Sequence, residues 1–188
     1  MKKILQKEEK ILRQKTGEVP VREITTLKIK KILKEMSGAL RSQSDGVAIA
    51  APQIGYSLRI FVVSGKIFGK NFAGKTLMPK GIEAPIKNVG GEKVRDLIFI
   101  NPKISKLSRE KEWVPEGCLS VRPLYGKTHR SKKAIITAYN EKGKKFTRGA
   151  SGLLSQIFQH ETDHLDGVLF IDHAKDVKEE KLDQKIRR

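Results

Sequence analysis

The chain has one cysteine, Cys118, in 188 residues. An internal disulfide is therefore excluded, and a lone thiol fits a reducing compartment, so the expected location is the cytoplasm. No apolar run approaches the roughly 20 residues that a membrane-spanning helix needs, and no membrane partner is expected. At the N-terminus the apolar stretch ends at Ile4-Leu5, too short for an export signal. Acidic residues are also short, 21 against 39 Lys and Arg, which leaves a formal charge of +18. Such a charge predicts solubility and non-specific attraction to polyanions, so ribosome association through a basic surface is an expectation, whereas specific DNA recognition is not.

What is present fits one domain over residues 1–175, followed by a charged tail over 176–188. In "ITTLKIKKILKEMSGALRSQ", residues 24–43, Ile29, Ile32, Leu33, Met36 and Leu40 recur at helical spacing and predict a surface helix. The runs "LRIFVVS" (58–64) and "LIFINPKI" (97–104) predict strands. Between them, residues 65–95 are rich in glycine and lysine and read as a loop insertion. "KKAIITAYNEKGKKFTRGA" reads as a hairpin about Asn140-Glu141-Lys142-Gly143. From Lys127 to Arg148 there are eight Lys or Arg against one acid, Glu141, yet the interleaved aromatics of a single-strand reader are absent near this hairpin. Residues 151–166 predict a second helix, with Ser151 as N-cap and Gly167 past its end. Sparse apolar Val177, Leu182 and Ile186 predict a charged helix for the tail.

The chemistry concentrates in "QHETDHLDG", residues 159–167. His160 and His164 are four apart, so a helix points both imidazoles the same way, and Glu161 stands where a base is found in the H-E-x-x-H pattern. Two histidines leave a catalytic site one ligand short. A metzincin would place a third histidine where Phe170 stands. A thermolysin-like site would use Glu179 or Glu180 in the tail. Upstream, Cys118 in "PEGCLSV" (115–121) has three readings: metal ligand, buried small hydrophobe, or nucleophile. Spacing alone does not choose among them.

Three motifs in order, "GVAIAAPQ" (46–53), "EGCLS" (116–120) and "QHETDHLDG" (159–167), make the chain resemble the peptide deformylases. The resemblance implies an α+β fold of antiparallel strands packed around the helix carrying H-E-x-x-H, with an N-terminal surface helix and a C-terminal charged helix. It implies that Cys118, His160 and His164 bind one divalent metal, with water in the fourth position. Fe²⁺ is the implied physiological ion, and Zn²⁺ or Ni²⁺ can be present in preparations. Glu161 is the implied general base, and the Leu119 N–H and the Gln53 side chain the implied oxyanion donors. The implied reaction removes the formyl group from the N-terminal methionine of newly made proteins.

Deformylase-like proteins bind the peptide as an added strand, expected here along an exposed 46–50 segment, with Gly46, Val47 and Ala48 as contacts. Ala48 stands where the family pattern has a second glycine and adds a methyl group beside that track. Leu153 and Ile157 are candidate pocket walls or ordinary core, and Gln156 is expected to make the pocket more polar. The rival readings are an H-E-x-x-H metallopeptidase and a basic ribosome- or nucleic-acid-binding protein with a vestigial metal site.

Overall fold

A computed structural model describes residues 2–69 and 95–179. In chain order its main elements are α1 (Leu27–Arg41), β1 (Ala48–Ala50), β2 (Ile60–Val63), β3 (Leu97–Leu107), β4 (Lys111–Gly117), β5 (Leu124–Ser131), β6 (Lys133–Tyr139), β7 (Lys145–Ser151), α2 (Gly152–Leu165) and β8 (Lys175–Glu179). Five strands form one antiparallel sheet in the order β1-β2-β3-β6-β7, and three form a second in the order β4-β5-β8. The fold class is α+β.

The continuous apolar run of β2 has a simple cause. All four of its residues are buried, because the five-stranded sheet is covered on both faces. Ile60 and Val62 face α1, joining Ile29, Ile32, Met36 and Leu40. Phe61 and Val63 face α2, joining Phe99, Leu154, Phe158 and Leu165. The Phe61 ring stacks on Phe99 with centroids 4.6 Å apart, and Phe158 meets Phe99 edge-on at 5.2 Å. Each such side chain stabilises by roughly 1.5–3 kcal/mol when fully buried. Thr26 caps α1 by accepting the Ile29 N–H, and the periodic apolar face predicted there is the buried one.

The predicted hairpin is β6-β7. Asn140 Oδ1 accepts the N–H groups of Lys142 and Lys144, and Gly143 supplies the positive φ of 74° that the turn requires.

The three-stranded sheet departs from what the sequence predicts. The tail expected to be helical instead begins as β8, whose five residues are all exposed and pair with the free edge of β5. The local helical signal there is weak, and an open backbone ladder outweighs it. Residues 180–188 lie outside the described residues, as do 70–94 of the predicted insertion. Of that insertion's first residues, Gly65–Phe68 form a 3-10 turn. In β5, exposed Lys127 and His129 alternate with buried Thr128 and Arg130, so the inward face is polar and carries no hydrophobic alternation to read.

Candidate active site

Helix α2 crosses between the two sheets. Its apolar residues Leu154, Phe158 and Leu165 bury against the large sheet, while Leu153, Ile157 and His160 line a cleft of about 300 Å³. The helix is held in register by Gln159, which accepts the Ser131 N–H and donates to the Ser131 carbonyl, both at 3.0 Å. Ser155 adds a second donor to that carbonyl. Gly167, with φ 78°, ends the helix against the backbone of Arg13, 2.8 Å from where a Cβ would stand.

The cleft lies between two strand edges. β1 is the outer strand of one sheet and β4 of the other. Gly46, Val47 and Ala48 contribute one wall, Pro115 to Leu119 the opposite one, and Gln53 and Glu161 complete it. The 46–50 segment is not exposed as expected: Gly46 and Ala48 to Ala50 are buried. The tight space beside Gly46 is taken by Gln43, Leu40 and Leu119 of the chain itself. What β1 leaves available is its outer backbone edge, which pairs with no other strand among the described residues.

Cys118 follows directly on β4, and its Sγ lies 3.1 Å from His164 Nε2. The ligand atoms of Cys118, His160 and His164 all fall within 4.8 Å of one another, and among the described residues they form the group suited to a cation. The donor set, one thiolate and two imidazoles, suits Zn²⁺ or Fe²⁺ better than Mg²⁺. Glu179, the alternative downstream ligand, stands exposed on β8. Phe170, at the metzincin position, is buried and packs on the His160 ring at 6.4 Å between centroids.

Gln53 sits in the short turn after β1. Its Oε1 accepts the Ala50 N–H at 2.8 Å, which directs Nε2 towards Ser120 Oγ at 3.0 Å and Cys118 Sγ at 3.5 Å. Leu119 borders the cleft between Cys118 and Ser120.

Glu116 is the main residue that sequence reading assigned no role. Its Oε1 lies 2.6 Å from His160 Nδ1 and accepts Arg130 Nη2 at 2.7 Å, while Arg130 Nη1 reaches Asp163 at 2.7 Å. Occupying Nδ1 leaves His160 Nε2 to face the cation site. Burial opposes ionisation of Glu116, but hydrogen bonds from His160 and Arg130 outweigh it and hold the carboxyl well below its usual range. Burial would lower the His160 pKa, and its bonds to Cys118 and Glu116 raise it instead. His164 is lowered by burial and by neighbouring His160. The only prior signal for Glu116 was its place in the E-G-C motif.

Glu161 is buried, and its Oε2 has no hydrogen-bond partner among the described residues. Burial pushes its carboxyl up to about 7, with His160 opposing and Glu116 and Asp163 adding to the rise. A carboxyl titrating near neutrality can take and return a proton. Gln156 borders the cleft as expected, but its amide is tied to the Pro115 carbonyl at 2.8 Å, so its donor is already engaged.

A family model described as Polypeptide deformylase matches residues 1–180. Peptide deformylase 2 of Clostridium acetobutylicum is 37% identical over 172 residues, covering 92% of this chain and 94% of the relative. The peptide deformylase of Borreliella burgdorferi is 37% identical over 176 residues, with 94% and 87% covered. Among solved structures, the peptide deformylase of Thermotoga maritima superposes with a TM-score of 0.73 at 28% identity, over 93% of this chain and 98% of that one. With motifs, fold and relatives in agreement, the chain belongs to the peptide deformylase family, metal-dependent enzymes that remove formyl groups from nascent proteins.

Proposed function

We propose that this chain deformylates N-formyl-methionyl peptides at a single divalent cation held by Cys118, His160 and His164, and that Fe²⁺ is its physiological ion. Zn²⁺ or Ni²⁺ would fit the same donors. The observation that supports this reading most is the convergence of those three donors in a cleft flanked by two strand edges. When bound, the cation supplies Lewis-acid polarisation and acidifies water at its open position.

The chain's own residues do the rest. Glu161 takes the proton of the attacking water and delivers it to the departing amine nitrogen. The Gln53 Nε2 and the Leu119 N–H donate to the formyl oxygen as its charge grows, and losing one such donor typically costs about a hundredfold or more in rate. The Glu116 carboxylate holds His160 in the tautomer that offers Nε2.

The peptide backbone lies along the edges of β1 and β4, and Leu153 and Ile157 wall the methionine pocket. Gln156 contributes a polar rim that Pro115 holds in place. The working site is the cytoplasm, on chains leaving the ribosome, and the basic surface supplies a salt-sensitive attachment to it. Absence of ribosome co-sedimentation at low salt would remove that last element.

The test of the reaction is formate release from formyl-Met-Ala-Ser by anaerobically purified protein loaded with Fe²⁺, Ni²⁺ or Zn²⁺, beside a Glu161→Ala control. Turnover that vanishes in the control is the expected result. No turnover with stoichiometric bound metal would contradict the assigned substrate.

A further inference from the structure

The three-stranded sheet has an inward face that meets α2 and an outward face that, among the described residues, no other element covers. Trp113, on the outward face, is 46% exposed and stacks on the His129 ring with centroids 5.0 Å apart. Lys175 Nζ lies 5.0 Å from the Trp113 centroid. Cross-strand partners share a face, so the pairs Lys127–Lys175 and Tyr125–Lys178 put three lysines on the same face as this stack, and Lys111 stands two residues before Trp113. Like charges directly opposite each other destabilise a sheet. One acid, Asp176, reaches Lys127 at 3.1 Å. Among the described residues, Lys111, Lys175 and Lys178 have no carboxylate partner in an ion pair.

This face is continuous with the cleft. Pro115 and Gly117, which share the face of Trp113 along β4, and Tyr125, paired with Gly117, also line it. Cys118 lies just beyond the C-terminal end of β4, and β1 likewise runs towards Gln53. A chain whose formyl end sits at Cys118 and which follows these edges therefore runs back along β4 towards Lys111. Trp113 is five positions before Cys118, roughly 17 Å along a strand, or about five residues of an extended substrate.

Resting on the deformylase reading, we propose that this outward face is a substrate subsite that binds acidic side chains of the formylated polypeptide from about its fifth residue onward. The lysines supply the complementary charge, and the Trp113–His129 stack supplies a flat apolar floor beneath the passing chain. The subsite favours one class of nascent sequence over another at a distance from the reacting bond.

The test compares two formyl-Met-Ala-Ser peptides extended to about ten residues, one with aspartates and one with lysines from the fifth position. The acidic tail should raise kcat/KM about tenfold through KM, from a few exposed charge contacts, and the preference should shrink as salt rises. Lys127→Glu with Lys175→Glu should invert the preference. The same charge change at exposed Lys30 and Lys34 on α1 should leave it in place. Trp113 is the chain's single tryptophan, so its fluorescence reports occupancy without turnover. An acetylated, uncleaved peptide with the acidic tail should change the emission, and its lysine counterpart should not.

Equal kcat/KM for the two tails with unchanged emission would overturn the subsite while short-peptide turnover left the deformylase reading intact. No formate from any peptide would instead sink the deformylase reading, and with it this one. Emission that responds to a single-stranded oligonucleotide but not to the acidic peptide would assign the face to nucleic acid and overturn the proposal.

Discussion

Behind the cleft, the five-stranded sheet buries Phe61 and Phe99 beneath Phe158 of α2; in front of it, the three-stranded sheet buries Glu116, Thr128 and Arg130. Both contacts fix the same helix. The aromatic contact is close-packed and non-directional, so it sets where α2 lies but tolerates small rotations. The polar contact is directional, since Glu116 must meet His160 and Arg130 at hydrogen-bond distance, and it sets how one imidazole is turned. The difference teaches that an apolar region can position a candidate site while a polar one orients it, and substitutions should separate the two roles.

The largest expected effect is at the end of the small sheet. Cys118→Ala should abolish stoichiometric metal binding and formate release together, read by elemental analysis and a formate assay. Full metal retention would remove the cysteine from the ligand set. Glu161→Ala should keep the metal and lower kcat by about 10²–10⁴-fold. A parallel loss of metal would show that the carboxylate supports the ion and not the proton transfer.

On the apolar side, Phe158→Ala should cost about 3–5 kcal/mol in denaturant unfolding, because a fully buried ring leaves a cavity. The fraction that stays folded should bind metal normally. If metal affinity fell as steeply as stability, the division between positioning and orienting would fail. Glu116→Gln tests the polar side: metal affinity, measured by chelator competition, should fall about 10–100-fold. An unchanged affinity would make the Glu116–Arg130 pair a purely structural contact.

The smallest effect belongs to Ala48, whose methyl group packs in the cluster around Phe61. Ala48→Gly should cost about 0.5–1 kcal/mol of stability and leave KM for formyl-Met-Ala-Ser nearly unchanged. A large drop in KM would show that the methyl group obstructs the peptide track.

Much of the large sheet was legible. β2 and β3 are short apolar runs, the hairpin carries Asn140 and Gly143 at its turn, and α1 and α2 have helical periodicity. The small sheet was not. β4 contains Pro115 and borders the cleft, β5 turns buried polar groups inward, and β8 is wholly exposed, so none shows the alternation from which strands are read. The candidate site divided along the same line. Every residue singled out from the motifs lies at or beside the cleft, whereas Glu116 and Arg130 gained significance only from their contacts.

The sequence by itself determined what is local: two imidazoles one helical turn apart, a carboxyl beside the first, a single thiol, and a charge of +18. Tertiary structure decided what joins them. Cys118 and His164 meet across 46 positions and Gln53 and Cys118 across 65, separations at which no periodic pattern operates. The outward basic face likewise exists only because β8 pairs with β5, placing Lys175 beside Trp113. Antiparallel register brings these groups together, and register is settled by how whole faces are buried, not by any one segment.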